Sequence, residues 1–175
     1  PWRFRVKNIN FSNVSFKQTR ISAFEFDGCT FDRCLFIASI FEDCRFTSCK
    51  FLNCNPYRAE LFDCFVDPKQ FEKCVPISGN ENIGLHLYQE LLNNSRRQAQ
   101  PDFSDEAQFR FRQWQRYYLF ADISRQTSFW DKLGRRVRHA GMYIFDITTG
   151  SGMRVRRLLC TAALILLTMT LLNWY

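Results

Sequence analysis

Phenylalanine returns at every fifth position between residues 26 and 54: Phe26, Phe31, Phe36, Phe41, Phe46 and Phe51. A helix repeats every 3.6 residues and a strand every 2, so neither accounts for the spacing. On a helix, steps of five scatter the rings round the axis; on a flat strand they alternate between faces. Two residues before each ring lies a second column, mostly small: Phe24, Cys29, Cys34, Ser39, Cys44 and Cys49. Inward positions at i−2 and i are the alternation of a very short strand, followed by a corner that resets it. A chain of this kind coils, and buries a large and a small column at each side.

The register runs well beyond the phenylalanines. Counted by five, the large position is Val6, Phe11, Phe16 and Ile21 before them, and Pro56, Leu61, Val66, Phe71 and Pro76 after. The small position begins at Phe4, Ile9, Val14 and Thr19, and continues through Cys54, Ala59, Cys64, Lys69 and Cys74. Fifteen units keep phase, with polar residues such as Asp27, Asp32, Arg33 and Glu42 between them. Repetition at a fixed short period marks a solenoid. Lys69 at a small slot and prolines at two large slots predict irregularity near the end.

Over residues 4–76 the sequence resembles the pentapeptide-repeat family. The resemblance implies a right-handed, four-sided β-helix with a bulky residue at the centre of each five and a small one two before it. One coil is then twenty residues, and nearly four coils stack to about 19 Å. Residues twenty apart lie on one another, so Phe11, Phe31, Phe51 and Phe71 are expected in one ladder and Phe26 over Phe46. Burial of each ring stabilises by about 1.5–3 kcal/mol.

Seven of the eight cysteines, from Cys29 to Cys74, occupy small inward slots. A free cysteine packs as a small buried hydrophobe. Twenty-residue stacking would place Cys34, Cys54 and Cys74 in one column and Cys44 over Cys64, near enough for a disulfide by distance alone. An odd number at repeat-dictated positions argues against a secreted disulfide framework, and five-residue spacing is unlike the close pairs of a zinc site. The cysteines are therefore read as reduced packing residues. No metal, cofactor or catalytic group is expected: the two histidines, His86 and His139, both lie outside the repeat.

Charge narrows the function classes. Residues 1–78 hold eleven Lys/Arg against nine Asp/Glu, a net +2, and residues 79–175 hold thirteen against eight, a net +5. Some family members are thought to mimic DNA and bind topoisomerase. That role wants a strongly acidic surface, which this repeat lacks, and no nucleic-acid partner is expected.

After Pro76 the pattern changes. The segment 77–84, rich in Gly and Asn, reads as a breaker. Leu87, Tyr88, Leu91 and Leu92 then keep helical spacing, with Gln89, Glu90, Asn93 and Asn94 on the opposite side. A second helix is expected after Pro101, with Ser104 as its cap and Asp105 and Glu106 in its first turn. Its stripe is Ala107, Phe111, Trp114, Tyr118 and Ala121. The pair reads as a helical hairpin that either seals the end of the solenoid or pairs with a partner.

Two further segments point to a membrane. From residue 129, Trp130, Leu133, Val137, Ala140 or Gly141, and Ile144 form one helical face, and Lys132, Arg135, Arg136, Arg138 and His139 the other. A basic amphipathic helix with Trp at one end suits a membrane surface; a solvated helix packed on the hairpin is the alternative. Residues 158–175 then contain no charge. As a helix they span about 27 Å, close to a hydrocarbon core of about 30 Å. Arg154, Arg156 and Arg157 precede them, and Trp174 and Tyr175 close them. Charge of this sign stays on the cytoplasmic side, which places the solenoid inside and Tyr175 at the outer interface. The chain also begins at an inward slot and ends where a span would leave the membrane, so further coils and further spans are expected outside it.

The stretch 143–167 is similar to the junction in bacterial proteins that join pentapeptide repeats to a two-span, potassium-channel-like pore. Phe145, Asp146, Thr148, Thr149, Gly150 and Gly152 carry that likeness, ahead of the basic run. Residues 85–175 contain no second span and no Gly-x-Gly filter.

The sequence thus predicts a β-solenoid over 1–78, a helical hairpin cap over 79–128, a basic juxtamembrane helix over 129–150, a linker over 151–157 and a transmembrane helix over 158–175. The expected function is non-enzymatic: the cytoplasmic region and first span of a channel-like membrane protein. The alternative is a tail-anchored adaptor or effector. Expected partners are membrane lipids and an unidentified protein or a second copy.

Overall fold

The computed structural model describes residues 4–125 and, beyond them, Leu133, Gly134, Val137, Ala140, Gly141 and Tyr143; the side chains of residue 120 and of residues 122–125 fall outside that description. The chain divides into two compact units, Pro1–Tyr118 and Leu119–Tyr175.

Short strands follow one another with left-handed corners between them. They are β1 (Phe4–Lys7), β2 (Asn10–Ser12), β3 (Arg20–Ser22), β4 (Phe24–Asp27), β5 (Thr30–Asp32), β6 (Ile40–Glu42), β7 (Arg45–Thr47), β8 (Lys50–Leu52), β9 (Glu60–Phe62) and β10 (Phe65–Val66). Pairing is parallel, in the orders β1-β4-β7-β10, β2-β5-β8 and β3-β6-β9. Partners lie twenty residues apart, as in Phe4↔Phe24, Phe11↔Phe31 and Ile21↔Phe41. The bridges Ser15↔Leu35 and Leu35↔Asn55 form a fourth pairing column. The result is a parallel β-solenoid of about three turns.

Corners explain why five residues make one side. The residue two after each large position, from Asn8 to Asp63, has positive φ, between 50° at Asp43 and 64° at Gly28. This conformation is unfavourable for a residue with a Cβ. Bonds between turns offset the cost: Asn8, Asn13 and Arg33 each donate their amide to a carbonyl of the next turn at 2.9 Å. Only one of these corners is glycine. At Gly28 a Cβ would lie 2.4 Å from Asn8 Oδ1, because the Asn8 side chain leans across it.

Inside, Phe11, Phe31, Phe51 and Phe71 form one stacked column, with centroid separations of 4.9, 4.9 and 4.1 Å. Phe16 stacks on Phe36 at 5.2 Å and Phe26 on Phe46 at 5.1 Å. Rings of neighbouring columns meet edge to face, as Phe31 does with Phe26 and Phe36 at 5.6 Å. Stacked and edge-to-face contacts are the two arrangements the ring quadrupole favours.

Regularity fails in the fourth turn, so the nearly four coils expected become about three. Lys69 is the first misfit: a charged side chain does not stay at a small inward slot. Instead Pro68–Phe71 forms a 3-10 helix, capped by Asp67, whose Oδ1 accepts the Lys69 amide at 2.9 Å. Lys69 and Pro76 are exposed rather than inward. Pro56 does remain inward and buried. The amides of Phe16 and Phe36 donate to Leu35 and Asn55 of the following turn. Proline has no such hydrogen, so Pro56 ends that ladder.

Two helices follow, α1 (Glu81–Arg97) and α2 (Pro101–Arg125). The helix α1 takes over half of the expected breaker segment, because Gly84 is needed inside it. A Cβ at Gly84 would lie 2.3 Å from the ring of Trp114, which is itself buried. The two helices therefore approach closely here, and antiparallel, since Arg96 donates to Gln108 at 3.1 Å farther on. Between them Ala99 takes φ 51°, Gln100 donates back to Ser95 and Ala99 to Arg96. That is a Schellman turn with alanine in the usual glycine position. Helix α2 starts at Pro101 rather than at a Ser104 cap. Proline at the first helical position loses no hydrogen bond, and Ser104 Oγ instead donates to the Pro101 carbonyl at 2.9 Å. Of the expected stripe, Ala107 and Trp114 are buried and Tyr118 is exposed.

At an open helical site, Gly→Ala gains up to about 1 kcal/mol. Here the sign reverses. Gly84→Ala is expected to destabilise by about 1–3 kcal/mol through overpacking against Trp114. Urea unfolding followed by circular dichroism measures it, and a stabilised variant would refute the contact.

Candidate functional site: a filled solenoid with two different ends

The lumen is packed solid. Phe26, Phe31, Phe36, Phe41, Phe46, Phe51 and Phe71 are buried, as are Cys29, Cys34, Cys44, Cys49, Cys54, Cys64 and Cys74. Phe11, in the first turn, is only half-buried. A gap of about 20 Å³ remains under α1, lined by Phe51, Ala59, Leu61, Phe71, Leu87 and Glu90. That is the size of a single water, and its walls are almost wholly apolar, so it stays dry. Substrate-sized space is absent from this gap.

The thiols belong to the packing and to the hydrogen bonding between turns. Cys34 donates to the Phe11 carbonyl at 3.3 Å, Cys54 to Phe31 at 3.3 Å and Cys64 to Phe41 at 3.4 Å. Among the described residues the seven repeat cysteines are unpaired, and no three His, Cys, Asp or Glu converge as a metal site. Burial pushes up the thiols of Cys34, Cys49 and Cys74, that of Cys49 to about 11. For Cys64 the adjacent Cys44 thiol comes first and burial second. A thiol raised on folding stabilises the fold below its unfolded value, and that contribution disappears as pH climbs through the folded one. Through Cys49, stability should therefore fall between about pH 9 and pH 11, whereas the thiols of Cys44 and Cys54, lowered by hydrogen bonds from Cys64 and Cys74, add stability as pH rises toward that window. Melting temperature against pH reads this directly. Iodoacetamide should label these thiols only after unfolding; rapid labelling of the folded chain would contradict the burial.

At the far end, α1 replaces the missing turn. Asn94 is 1% exposed and grips one residue of the last regular turn: its Oδ1 accepts the Cys64 amide at 3.0 Å, and its Nδ2 donates to the Cys64 carbonyl at 2.7 Å. Arg97 donates to the Leu61 carbonyl and lies over the Phe62 ring at 5.2 Å. Gln98 reaches Asp63 at 2.8 Å, and Gln70 donates to the Phe46 carbonyl at 3.1 Å. The Cys64 amide and the carbonyls of Cys64, Leu61 and Phe46, at the end of the sheets, thereby gain partners. From the sequence Asn94 reads as polar-face, yet its distance from Leu87 and Leu91 is seven and three residues. That spacing puts it on the buried stripe and was the available signal.

The near end is different. Among the described residues, β1, β2 and β3 each pair on one side only. Phe4 is 65% and Ile9 46% exposed. Cations line this edge, and three of them are paired one turn on: Arg5 with Glu25 at 2.9 Å, Lys7 with Asp27 at 3.6 Å and Arg20 with Glu42 at 3.0 Å. The exterior is thus of mixed charge, with opposite signs facing each other across turns.

The expected membrane-facing residues Trp130, Lys132, Arg135, Arg136, Arg138, Arg154, Arg156, Arg157, Trp174 and Tyr175 lie outside the described residues, as does the whole of 158–175. Between them, Leu133, Val137 and Tyr143 have helical backbone and are exposed. No helix among the described residues is long and apolar enough to cross a membrane. No protein-family model matches the chain, and no curated protein matches it.

Proposed function

We propose that this chain is a non-enzymatic, membrane-tethered pentapeptide-repeat protein whose solenoid is a rigid module for holding a protein partner. The observation that carries the reading is the pairing of residues twenty apart, side after side, with a left-handed corner every fifth residue. That is what the family's right-handed, four-sided coil requires. A lumen filled by stacked rings and thiols leaves the outer faces and the ends as the surfaces available for recognition. The tether is 158–175, uncharged and preceded by Arg154, Arg156 and Arg157. Exposed Leu133 and Val137, one helical turn apart, support a helix lying on the inner leaflet.

Fractionation tests the tether. The full chain should sediment with membranes and resist alkaline carbonate, and deletion of 158–175 should release it. A full chain recovered in the soluble fraction overturns the reading. The junction residues Phe145, Asp146, Gly150 and Gly152 favour a second version, in which the chain is the cytoplasmic part and first span of a pore-forming protein. The gene downstream of Tyr175 decides between them. A Gly-rich filter followed by a second apolar stretch of about twenty residues supports the pore, and a stop codon rejects it.

A further inference from the structure

We propose that one side wall of the solenoid lies against an anionic membrane surface, the inner leaflet. This rests on the tether proposed above and deepens it: a second, lipid-facing contact fixes which walls remain open to a protein partner.

The wall is the one that carries the pairing column Ser15, Leu35 and Asn55. Two residues further on in each turn stand Lys17, Ile37 and Tyr57, held in the same twenty-residue register: Gln18 donates its amide to the Ile37 carbonyl at 3.0 Å and Ala38 to the Tyr57 carbonyl at 2.9 Å. At strand spacing, Lys17 and Tyr57 are about 10 Å apart along the axis. The wall runs along the flank of the coil, so a further turn at either end would lengthen it without covering it.

Its charge differs from that of the other three walls. Those present Glu25 and Asp27, Asp32, and Glu42 with Glu60. The outward slots of this wall over the three turns hold no carboxylate. They hold two exposed cations, Lys17 and Arg58, and neither is in an ion pair among the described residues. By contrast Arg5, Lys7, Arg20 and Arg33 each face a carboxylate. Between the two free cations the wall is apolar: Leu35 is 39% exposed, and Ile37 and Tyr57 are half-buried. Arg58 lies over the Tyr57 ring at 5.3 Å, which leaves its charge at the surface.

Apolar groups framed by unpaired cations suit the boundary between anionic headgroups and acyl chains. Each such cation near that surface favours the bound state about fivefold. Two are too few to hold a free protein, but a tether keeps the wall near the leaflet at high effective concentration. A second copy meeting wall to wall would oppose cation to cation, which disfavours it. An acidic protein would meet the same charges without the advantage of the tether.

The test uses the full chain with Cys160→Ala, reconstituted into vesicles. An environment-sensitive fluorophore is attached at Ile37→Cys, or at Thr47→Cys on the opposite wall; the buried repeat thiols stay unlabelled. With about 30% phosphatidylserine, the label at 37 should shift to the blue and be quenched by nitroxide lipid, while the label at 47 stays in water. In pure phosphatidylcholine both should stay in water. Lys17→Glu/Arg58→Glu should return the label at 37 to water, a shift of at least about 25-fold, and keep the melting temperature and the sedimentation with vesicles. A label at 37 that stays in water on anionic vesicles overturns the proposal, as does equal quenching at 37 and 47, or quenching indifferent to lipid charge or to the double reversal. A blue shift without quenching by nitroxide lipid also overturns it, since a protein or a second copy then covers the wall. Sedimentation reads the tether separately. A chain that sediments with its label in water loses this proposal alone, and a chain that sediments with neither vesicle loses both.

Discussion

Phe31→Ala should be the most damaging single substitution in the solenoid, at about 3–5 kcal/mol. Phe31 is 2% exposed and sits at the middle of the one column that runs through every turn. Above and below it are Phe11 and Phe51, each at 4.9 Å, and edge contacts from Phe26 and Phe36 close the remaining sides. No neighbour can move into the void, because each is held in its own stack and in its own rung of hydrogen bonds. A loss of this size is a large part of a small domain's total stability of about 5–15 kcal/mol. Phe11→Ala is the internal control. Among the described residues its ring stacks on Phe31 alone and is half-buried, so its loss should be distinctly smaller. Equal effects at the two positions, measured by urea unfolding, would mean that stacking along the axis is not what holds the turns together.

Asn94→Ala is expected to cost about 2–4 kcal/mol, from two lost hydrogen bonds and two backbone groups of Cys64 left buried without partners. The cost should appear at the capped end first. Native-state hydrogen exchange should show the Cys64 amide losing protection while the amides of β5 keep theirs. Asn94→Asp is more informative still. It retains the acceptor for the Cys64 amide but removes the donor to the carbonyl, and places a charge where exposure is 1%. It should therefore be at least as damaging as alanine above pH 5 and recover in part at lower pH, as the carboxyl protonates and can donate again. A variant as stable as the native chain would show that α1 is not the closure of the solenoid.

The architecture was legible because the solenoid imposes one rule on every residue: a side chain that breaks phase lands on the wrong side of the wall. Phe31, Phe51 and Phe71 could be placed on each other before any coordinate was known. The corners were less visible. Twelve residues from Asn8 to Asp63 adopt positive φ, and Gly28 alone carries the usual glycine signal. At the rest, bonds between turns override local preference, and such bonds leave no mark within a five-residue window. The cap was harder again. Asn94 is polar by composition and buried by position, and its partner Cys64 is thirty residues away. Helix starts were misplaced for related reasons: Gly84 suggests a break until Trp114 is known to lie against it. The charge of the first turn was hidden by averaging. A net +2 over 1–78 conceals a basic turn stacked on an acidic one.

The twenty-residue pairing also restricts how such a gene can change in length. Insertion of one codon within the second turn would send every later inward residue to a corner or to the outside, and would separate Phe51 from Phe31. Insertion of five would restore inward and outward but rotate each following side by a quarter of the circumference, so that strands face the wrong neighbours. Only gain or loss of a whole turn leaves both the wall and the stacks intact. Duplication in units of twenty is then the tolerated route to a longer molecule, and the same arithmetic makes β4 to β9 the part that can be copied while the cap at Asn94 stays where it is.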